Sequence, residues 1–255
     1  FSIPAILMAL RARRELARLV MLDAAHLQEE EARYRARKAT RRGGAGEPVP
    51  PLYSLRDALG VPERFGRTAV YGQPIDLAPG IRVSFLDAGH ILGSAALRLE
   101  LTEKGRPVRQ LISGDLGNAG RPLLRPPAAP PPSDVVVMET TYGDRRHKPL
   151  PPSIEELYQA IRDTFARGGN VIIPTFALER AQELLYCLRQ GVADGRIPGS
   201  TQVFLDSPMA ISATEIFAAH PECYDDDVAA KFRQGGDPFH LPGLHFTRES
   251  AQSMA

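Results

Sequence analysis

The sequence predicts an α/β fold in two parts, and three observations predict it. Three apolar runs each end in a polar side chain set among glycines, at Asp87–Ala95, Ser113–Gly117 and Glu139–Gly143. Strands of α/β folds present a site in this way, because they fix position while the loops leave room for a ligand. Between the first two, Leu97-Arg98-Leu99-Glu100-Leu101 alternates with the period of a strand that buries one face. From about residue 148 onward apolar strands and helical stripes alternate, which means parallel βαβ units. The expected division is therefore one domain over 1–147 and a second over 148–255.

Taken in order, Phe1 to Met8 reads as a strand, and Arg11 to about Lys38 as a helix in which Leu16, Leu19, Val20, Ala24 and Leu27 recur at helical spacing. His26 lies beside that stripe and reads as a core or partly exposed residue rather than a ligand. From Glu29 to Arg42 three Glu precede six Lys or Arg, which reads as a solvated helix end with i,i+4 pairs, and alternatively as a phosphate-contacting lip. Gly43 to Pro51 is a loop by composition. Tyr53 to Leu59 is a short helix capped by Ser54. Strands follow at Ala69 to Tyr71, Ile81 to Leu86 and Ala95 to Leu101, then a turn at Gly105 and a strand at Val108 to Ile112.

Arg121 to Ser133 carries Pro122, Pro126, Pro127 and Pro130 to Pro132, which cannot join a ladder and reads as a rigid surface crossing. Val135 to Met138 resumes as a buried strand that delivers Glu139. In the second part, Ser153 and Glu156 form a capping box for a helix with the stripe Ile154, Leu157, Tyr158, Ile161 and Phe165, ended by Gly168-Gly169. A buried strand at Val171 to Ile173, a helix at Leu178 to Leu188, a strand at Val203 to Leu205 and a helix at Ile211 to Ala218 follow.

Hydrophobic content of 43% and charged content of 24% are those of an ordinary globular chain, and 31 basic against 30 acidic residues give no overall field to attract nucleic acid. Any such affinity must come from a local patch or from metals. Cys187 and Cys223 form no Cys-x-x-Cys pair and no disulfide framework, so a reducing cytoplasm is expected. No apolar run reaches the roughly 20 residues that span a bilayer, and basic residues follow rather than precede the apolar start, unlike a signal peptide.

Each glycine-flanked signal also has a plain reading. His90 suits a hydrogen-bonded turn, Asp115 a turn that bonds its own backbone, and Glu139 a helix cap. Together, however, Asp87 to Ala95, Ser113 to Gly117 and Glu139 to Gly143 resemble the third, fourth and A motifs of the β-CASP branch of the metallo-β-lactamase superfamily, a group of RNA-processing nucleases. Asn170 to Ala177 leading into Arg180-Ala181-Gln182-Glu183, and Phe204 to Ala210, match in order and spacing. The resemblance implies a partial metallo-β-lactamase domain of αββα type followed by a parallel-sheet β-CASP insert. It also implies two zinc ions, with His90 ligating one and Asp115 bridging both, and Glu139 supporting catalysis from beside them through a His of a later motif, as a group behind the ligands or an acid/base residue.

The hallmark His-x-His-x-Asp-His is absent; the six histidines stand at 26, 90, 147, 220, 240 and 245. The resemblance places that motif before residue 1 and two further His motifs after residue 255. The chain is thus expected to read as an internal fragment, inactive by itself. For the intact parent the implied activity is di-zinc hydrolysis of single-stranded RNA, endonucleolytic or exonucleolytic, by a protein that needs no membrane and could form a homo-oligomer. A DNA nuclease, a small-ester hydrolase and a non-catalytic RNA-binding subunit remain alternatives. Ser207, ahead of a helix, suits a phosphate or a simple cap; Arg180 lines a cleft or pairs with Glu183. His147 reads as solvated, and His240 and His245 flank a Pro-Gly turn with no ligand geometry.

Overall fold

A computed structural model describes residues 7–41, 49–234 and 236–248, in two compact units, Phe1–Ala69 and Val70–Ala255. The expected strand over residues 1–8 and the loop from residue 43 lie mostly outside the described residues. In the first unit β1 (Leu7–Ala9) pairs parallel with β2 (Phe65–Thr68), in the register Leu7 to Phe65. Helix α1 (Arg11–Arg41) fills most of the interval. Its buried residues are Ala12, Leu16 and Ala25, while Val20 and Leu27 of the expected stripe are exposed. Within this unit α1 meets β2, where Arg14 donates to Phe65 O and Thr68 Oγ1, and the short α2 (Leu55–Gly60), near which the Leu52 and Leu55 amides donate to Gln28 and Glu29. His26 is exposed and lies 3.4 Å from Glu30. Arg33 pairs with Glu29 at 3.3 Å and Arg35 with Glu31 at 2.5 Å, so the charge run is a laced, solvated helix end.

Ser54 caps α2 as expected, and Asp57 completes a capping box by accepting the Ser54 amide at 2.9 Å. The strand expected at Ala69–Tyr71 lies earlier, as β2. Ala69 and Val70 form no ladder, and Tyr71 makes a single bridge to Phe85.

The second unit is built on a five-stranded sheet in the order β3-β4-β5-β6-β7, from β3 (Ile75–Ala78), β4 (Ile81–Asp87), β5 (Ala95–Glu103), β6 (Arg106–Ile112) and β7 (Val135–Val137). The first three pairings are antiparallel and the last is parallel. Consequently β4, β6 and β7 all run the same way. Turn Lys104-Gly105 joins β5 to β6 with both residues at positive φ. Two expectations fail here. Leu97–Leu101 is half-buried on both faces rather than on one, and the Val135–Met138 run is exposed, Val136 at 55%. β7 is an edge strand bonded only to β6, so its apolar composition does not bring burial among the described residues.

The proline-rich crossing is anchored rather than merely superficial. Leu123 and Leu124 are buried, Leu124 bridges Tyr224, and Asp225 N donates to Leu123 O at 2.9 Å. They join an aromatic core in which Tyr224 stacks on Phe232 at 5.2 Å and meets Phe239 edge-on, with the Tyr224 hydroxyl donating to Phe217 O at 2.6 Å.

Helix α3 (Leu150–Ala166) starts upstream of the expected capping box. Pro151 and Pro152 need no amide partners, so they extend the first turn; Ser153 donates back to Pro149 O and Glu156 pairs with Lys148. Gly168 ends the helix at φ 71. Tyr158, Ile161 and the partly buried Leu157 of its stripe pack against Leu188 and Val192 of α4 (Arg180–Ala193). The close approach requires Gly191, where a Cβ would sit 2.6 Å from the Tyr158 ring.

The expected strand Val171–Ile173 makes no ladder, and Ile172 is 88% exposed. This segment instead lines an apolar cleft of about 970 Å³ with Phe165, Leu185 and Phe204, and none of the expected site residues borders it. β8 (Val203–Leu205) does form, and pairs parallel with β9 (Leu244–Phe246) across α5 (Pro208–Ala219) and α6 (Asp226–Arg233), the βαβ arrangement expected of this part. No helix among the described residues is long and apolar enough to cross a membrane.

Candidate functional site

The parallel course of β4, β6 and β7 has a direct consequence: the segments following them leave the sheet at one rim. His90 follows β4, Asp115 follows β6 and Glu139 follows β7. His90 Nε2 lies 3.8 Å from Asp115 Oδ2, with the Asp115 side chain open to solvent and that of His90 about one-third exposed. Glu139 Oε1 accepts the Leu116 amide at 2.7 Å, one residue from Asp115. The three side chains singled out from sequence therefore belong to one cluster.

Each is held by its own loop. The Asp87 carboxylate accepts Gly89 N at 2.9 Å, and Ser94 Oγ accepts both His90 N at 3.0 Å and Ile91 N at 3.2 Å. Ser94 O in turn receives the Tyr71 hydroxyl at 2.7 Å. Gly89 and Gly93 stand at φ 59 and 71, left-handed values that a side chain resists. The Asp115 loop is pinned to this one by Gly117 N, which donates to Ala88 O at 2.9 Å. Ser113 N donates to Val137 O, and Glu139 N donates to Ser113 Oγ at 3.1 Å, coupling the second and third loops.

The Thr141 hydroxyl, then the Leu116 amide, holds the Glu139 carboxyl below the ordinary range, and the neighbouring His90 adds to the effect. Glu139 is accordingly an ionised hydrogen-bond acceptor at neutral pH.

An imidazole nitrogen and a carboxylate oxygen are the donors a divalent transition metal takes. Two ligands of one tetrahedral ion, each about 2.0–2.2 Å from it, stand roughly 3.4 Å apart. The 3.8 Å between His90 and Asp115 fits that requirement with a small adjustment. Among the described residues no group of three or more His, Cys, Asp or Glu gathers to complete such a site. His90 and Asp115 are the two candidate donors that the described residues bring together.

Behind the rim stand residues that sequence reasoning missed. Arg121 clasps Glu183 through Nε and Nη2, both at 2.6 Å, and reaches His90 O with Nη1 at 3.5 Å. Glu179 Oε2 accepts the Leu92 amide at 3.1 Å, from a backbone at φ 62. Burial and the adjacent Glu183 push the Glu179 carboxyl up to about 8. The one available signal was Glu183, a charge inside the apolar stripe of α4 that demanded a partner; nothing local pointed to Arg121 or Glu179.

The remaining expectations separate from the cluster. Arg180 Nη1 donates to Glu183 Oε2 at 3.0 Å, and Ser207 Oγ accepts Ala210 N at 3.2 Å as the cap of α5; both geometries match the structural alternatives. His147 meets the Tyr142 ring edge-on at 4.4 Å, and His245 stacks on Phe204 and contacts Gln202 at 2.7 Å. Cys187 and Cys223 are free, with burial raising their thiols to about 11 and about 12, outside the range of nucleophiles or ready ligands.

Comparison with known proteins bears on this arrangement. The Beta-Casp domain profile matches residues 181–255. Ribonuclease TTHA0252 of Thermus thermophilus is 36% identical over 189 residues, 74% of this chain and 42% of that protein. Transcription termination factor FttA of Thermococcus kodakarensis is 34% identical over 199 residues, 76% of this chain and 30% of that protein. Endoribonuclease YSH1 of Candida glabrata is 32% identical over 208 residues, 77% of this chain and 25% of that protein. The chain spans less than half the length of these curated relatives.

Proposed function

We propose, for a chain that belongs to the β-CASP branch of the metallo-β-lactamase superfamily, that the protein hydrolyses RNA phosphodiester bonds with the aid of bound metal. The observation that carries the reading is the approach of His90 Nε2 to Asp115 Oδ2 at 3.8 Å, on a rim that Glu139 shares. The likeness to proteins named ribonuclease and endoribonuclease supports RNA as the substrate class.

Membership of this superfamily implies metal ions; that they are zinc, and two in number, is our proposal. His90 and Asp115 are the residues that would hold them. When bound, such ions supply a Lewis acid for the phosphate and a nucleophilic water near neutral pH. The protein's own part is orientation. Ser94 fixes the His90 backbone, the Gly117 to Ala88 hydrogen bond fixes the Asp115 loop, and Glu139 holds the Leu116 amide. Glu139, ionised and beside this pair, would support the acid/base chemistry from behind the metals.

We place the boundary between the metallo-β-lactamase part and the β-CASP part near residue 148, within the second compact unit, where alternation of strands and helices begins. Single-stranded RNA is the proposed substrate form, with Arg180 and Ser207 as minor contacts beyond their structural bonds. Two free, unpaired cysteines favour a cytoplasmic setting.

The test is the full-length Asp115→Ala protein, assayed on single-stranded RNA, duplex DNA and a small ester. The expected outcome is loss of nearly all metal-dependent RNA cleavage with the fold retained by circular dichroism. Undiminished RNA cleavage removes the proposal, and faster turnover of DNA or ester by the unaltered protein reassigns the substrate.

A further inference from the structure

Helix α4 is tied to the His90 loop at two points for which RNA hydrolysis as described above gives no role. Leu92 N donates to Glu179 Oε2 at 3.1 Å. Arg121, paired through two 2.6 Å contacts with Glu183, donates to His90 O at 3.5 Å. The ties grip the loop on either side of Ile91.

Neither carboxylate is explained by packing. Glu179 and Glu183 are 2% and 5% exposed, and an apolar side chain would fill either place without the desolvation that a carboxylate suffers. Glu179 also occupies φ 62, a conformation that favours glycine and costs a residue bearing a side chain. Its Oε1 is buried with no hydrogen-bond partner among the described residues, so the side chain bonds through Oε2, as the acceptor for Leu92 N. What the carboxylates provide, and hydrocarbon cannot, is one acceptor aimed at the loop backbone and one anchor for the guanidinium that reaches it.

The loop needs such support. Gly89 and Gly93 bracket His90 at φ 59 and 71 and give the segment conformational freedom. The Ser94 hydroxyl restrains it from within, and among the described residues the other side chains that bond the backbone of His90 to Leu92 are Glu179 and Arg121. Groups behind a metal ligand set its orientation and affinity in this way.

We propose that Glu179 directly, and Glu183 through Arg121, are positioning residues that hold the His90 loop at the separation from Asp115 at which one metal engages both. The proposal rests on the metal-site reading above.

The experiment uses the full-length protein and three measurements: affinity for Zn²⁺ by titration of the metal-free protein, kcat and KM on single-stranded RNA, and amide exchange at Leu92. Three variants are compared, Glu179→Gln, Glu179→Leu and the double variant Arg121→Met with Glu183→Leu, which strands no buried charge and so protects the fold. Glu179→Leu and the double variant are each expected to weaken Zn²⁺ binding about 10–100-fold and to lower kcat in step. KM should stay within about twofold for the two Glu179 variants, which leave the Arg180 bond to Glu183 in place. Glu179→Gln, which keeps an acceptor for Leu92, should bind Zn²⁺ within about threefold of the unaltered protein, while Glu179→Leu alone speeds exchange at Leu92.

Folded variants with unaltered Zn²⁺ affinity overturn the proposal, as does a Glu179→Gln protein as defective as Glu179→Leu. If the unaltered protein binds Zn²⁺ but cleaves no RNA, the ribonuclease reading falls while affinity and exchange still decide the positioning role. If it binds no metal, both fall.

Discussion

Gly117 and Gly89 meet backbone to backbone: a Cβ built on Gly117 would lie 1.6 Å from Gly89 O, inside any permitted contact. The Asp115 loop can therefore approach the His90 loop only because residue 117 has no side chain. The 3.8 Å separation between His90 and Asp115 depends on that contact as much as on the two residues themselves.

Gly117→Ala must push the two loops apart by more than an ångström. We expect it to leave most of the sheet intact, to destabilise the fold by about 1–3 kcal/mol as overpacking does, and to abolish tight metal binding. Urea unfolding together with Zn²⁺ titration checks both parts; an alanine variant with unaltered affinity would show that the loops are not spaced by this contact.

Ser94→Ala removes the acceptor for the His90 and Ile91 amides, 3.0 and 3.2 Å away. Leaving partly buried donors unsatisfied costs about 1–3 kcal/mol. A matching drop in the urea midpoint is expected, with Ser94→Thr, which keeps the hydroxyl, intermediate between the two.

Glu179 gives stability a pH dependence of unusual sign for a carboxylate. Its carboxyl is raised from 4.5 in the unfolded chain to about 8 in the folded protein by burial and Glu183. The folded state thus binds the proton more tightly, and the contribution is complete below 4.5 and lost as pH rises through about 8. Glu179→Gln cannot ionise, so its stability relative to the unaltered protein should improve between pH 5 and pH 9. Chemical denaturation across that range tests the slope, and a flat difference contradicts the burial of an ionisable Glu179.

Glu139 behaves in the opposite sense. The Thr141 hydroxyl, then the Leu116 amide, holds its carboxyl low, so the stability it contributes is present above the unfolded carboxylate pKa and lost as pH falls through the folded one. Glu139→Gln keeps an acceptor for Leu116 but no charge. Under the proposed mechanism we expect a folded protein whose kcat falls about 10²–10⁴-fold with little change in KM. Retention of full kcat would leave Glu139 a purely structural carboxylate.

Local chemistry is what the sequence reveals well. The Ser54 cap, the i,i+4 pairs of α1 and the stop at Gly168 each depend on residues within a few positions of one another, and each forms as their spacing indicates. Apolar runs were less reliable guides. Val135–Met138 and Val171–Ile173 have the composition of buried strands, yet the first is an exposed edge and the second makes no ladder, because burial depends on what another segment places against a run.

The site divides along the same line. By itself the sequence singled out the candidate side chains, since His90, Asp115 and Glu139 are marked by glycines and strand ends within their own stretches. Only the tertiary structure decided that they meet, because the common direction of β4, β6 and β7 is a property of the sheet order and of no single strand. It alone also chose Arg121 and Glu179 as the groups behind them, from 31 and 87 positions along the chain from the atoms they bond. Such contacts are selected by the geometry of packed elements, which leaves no mark in the local sequence of either partner.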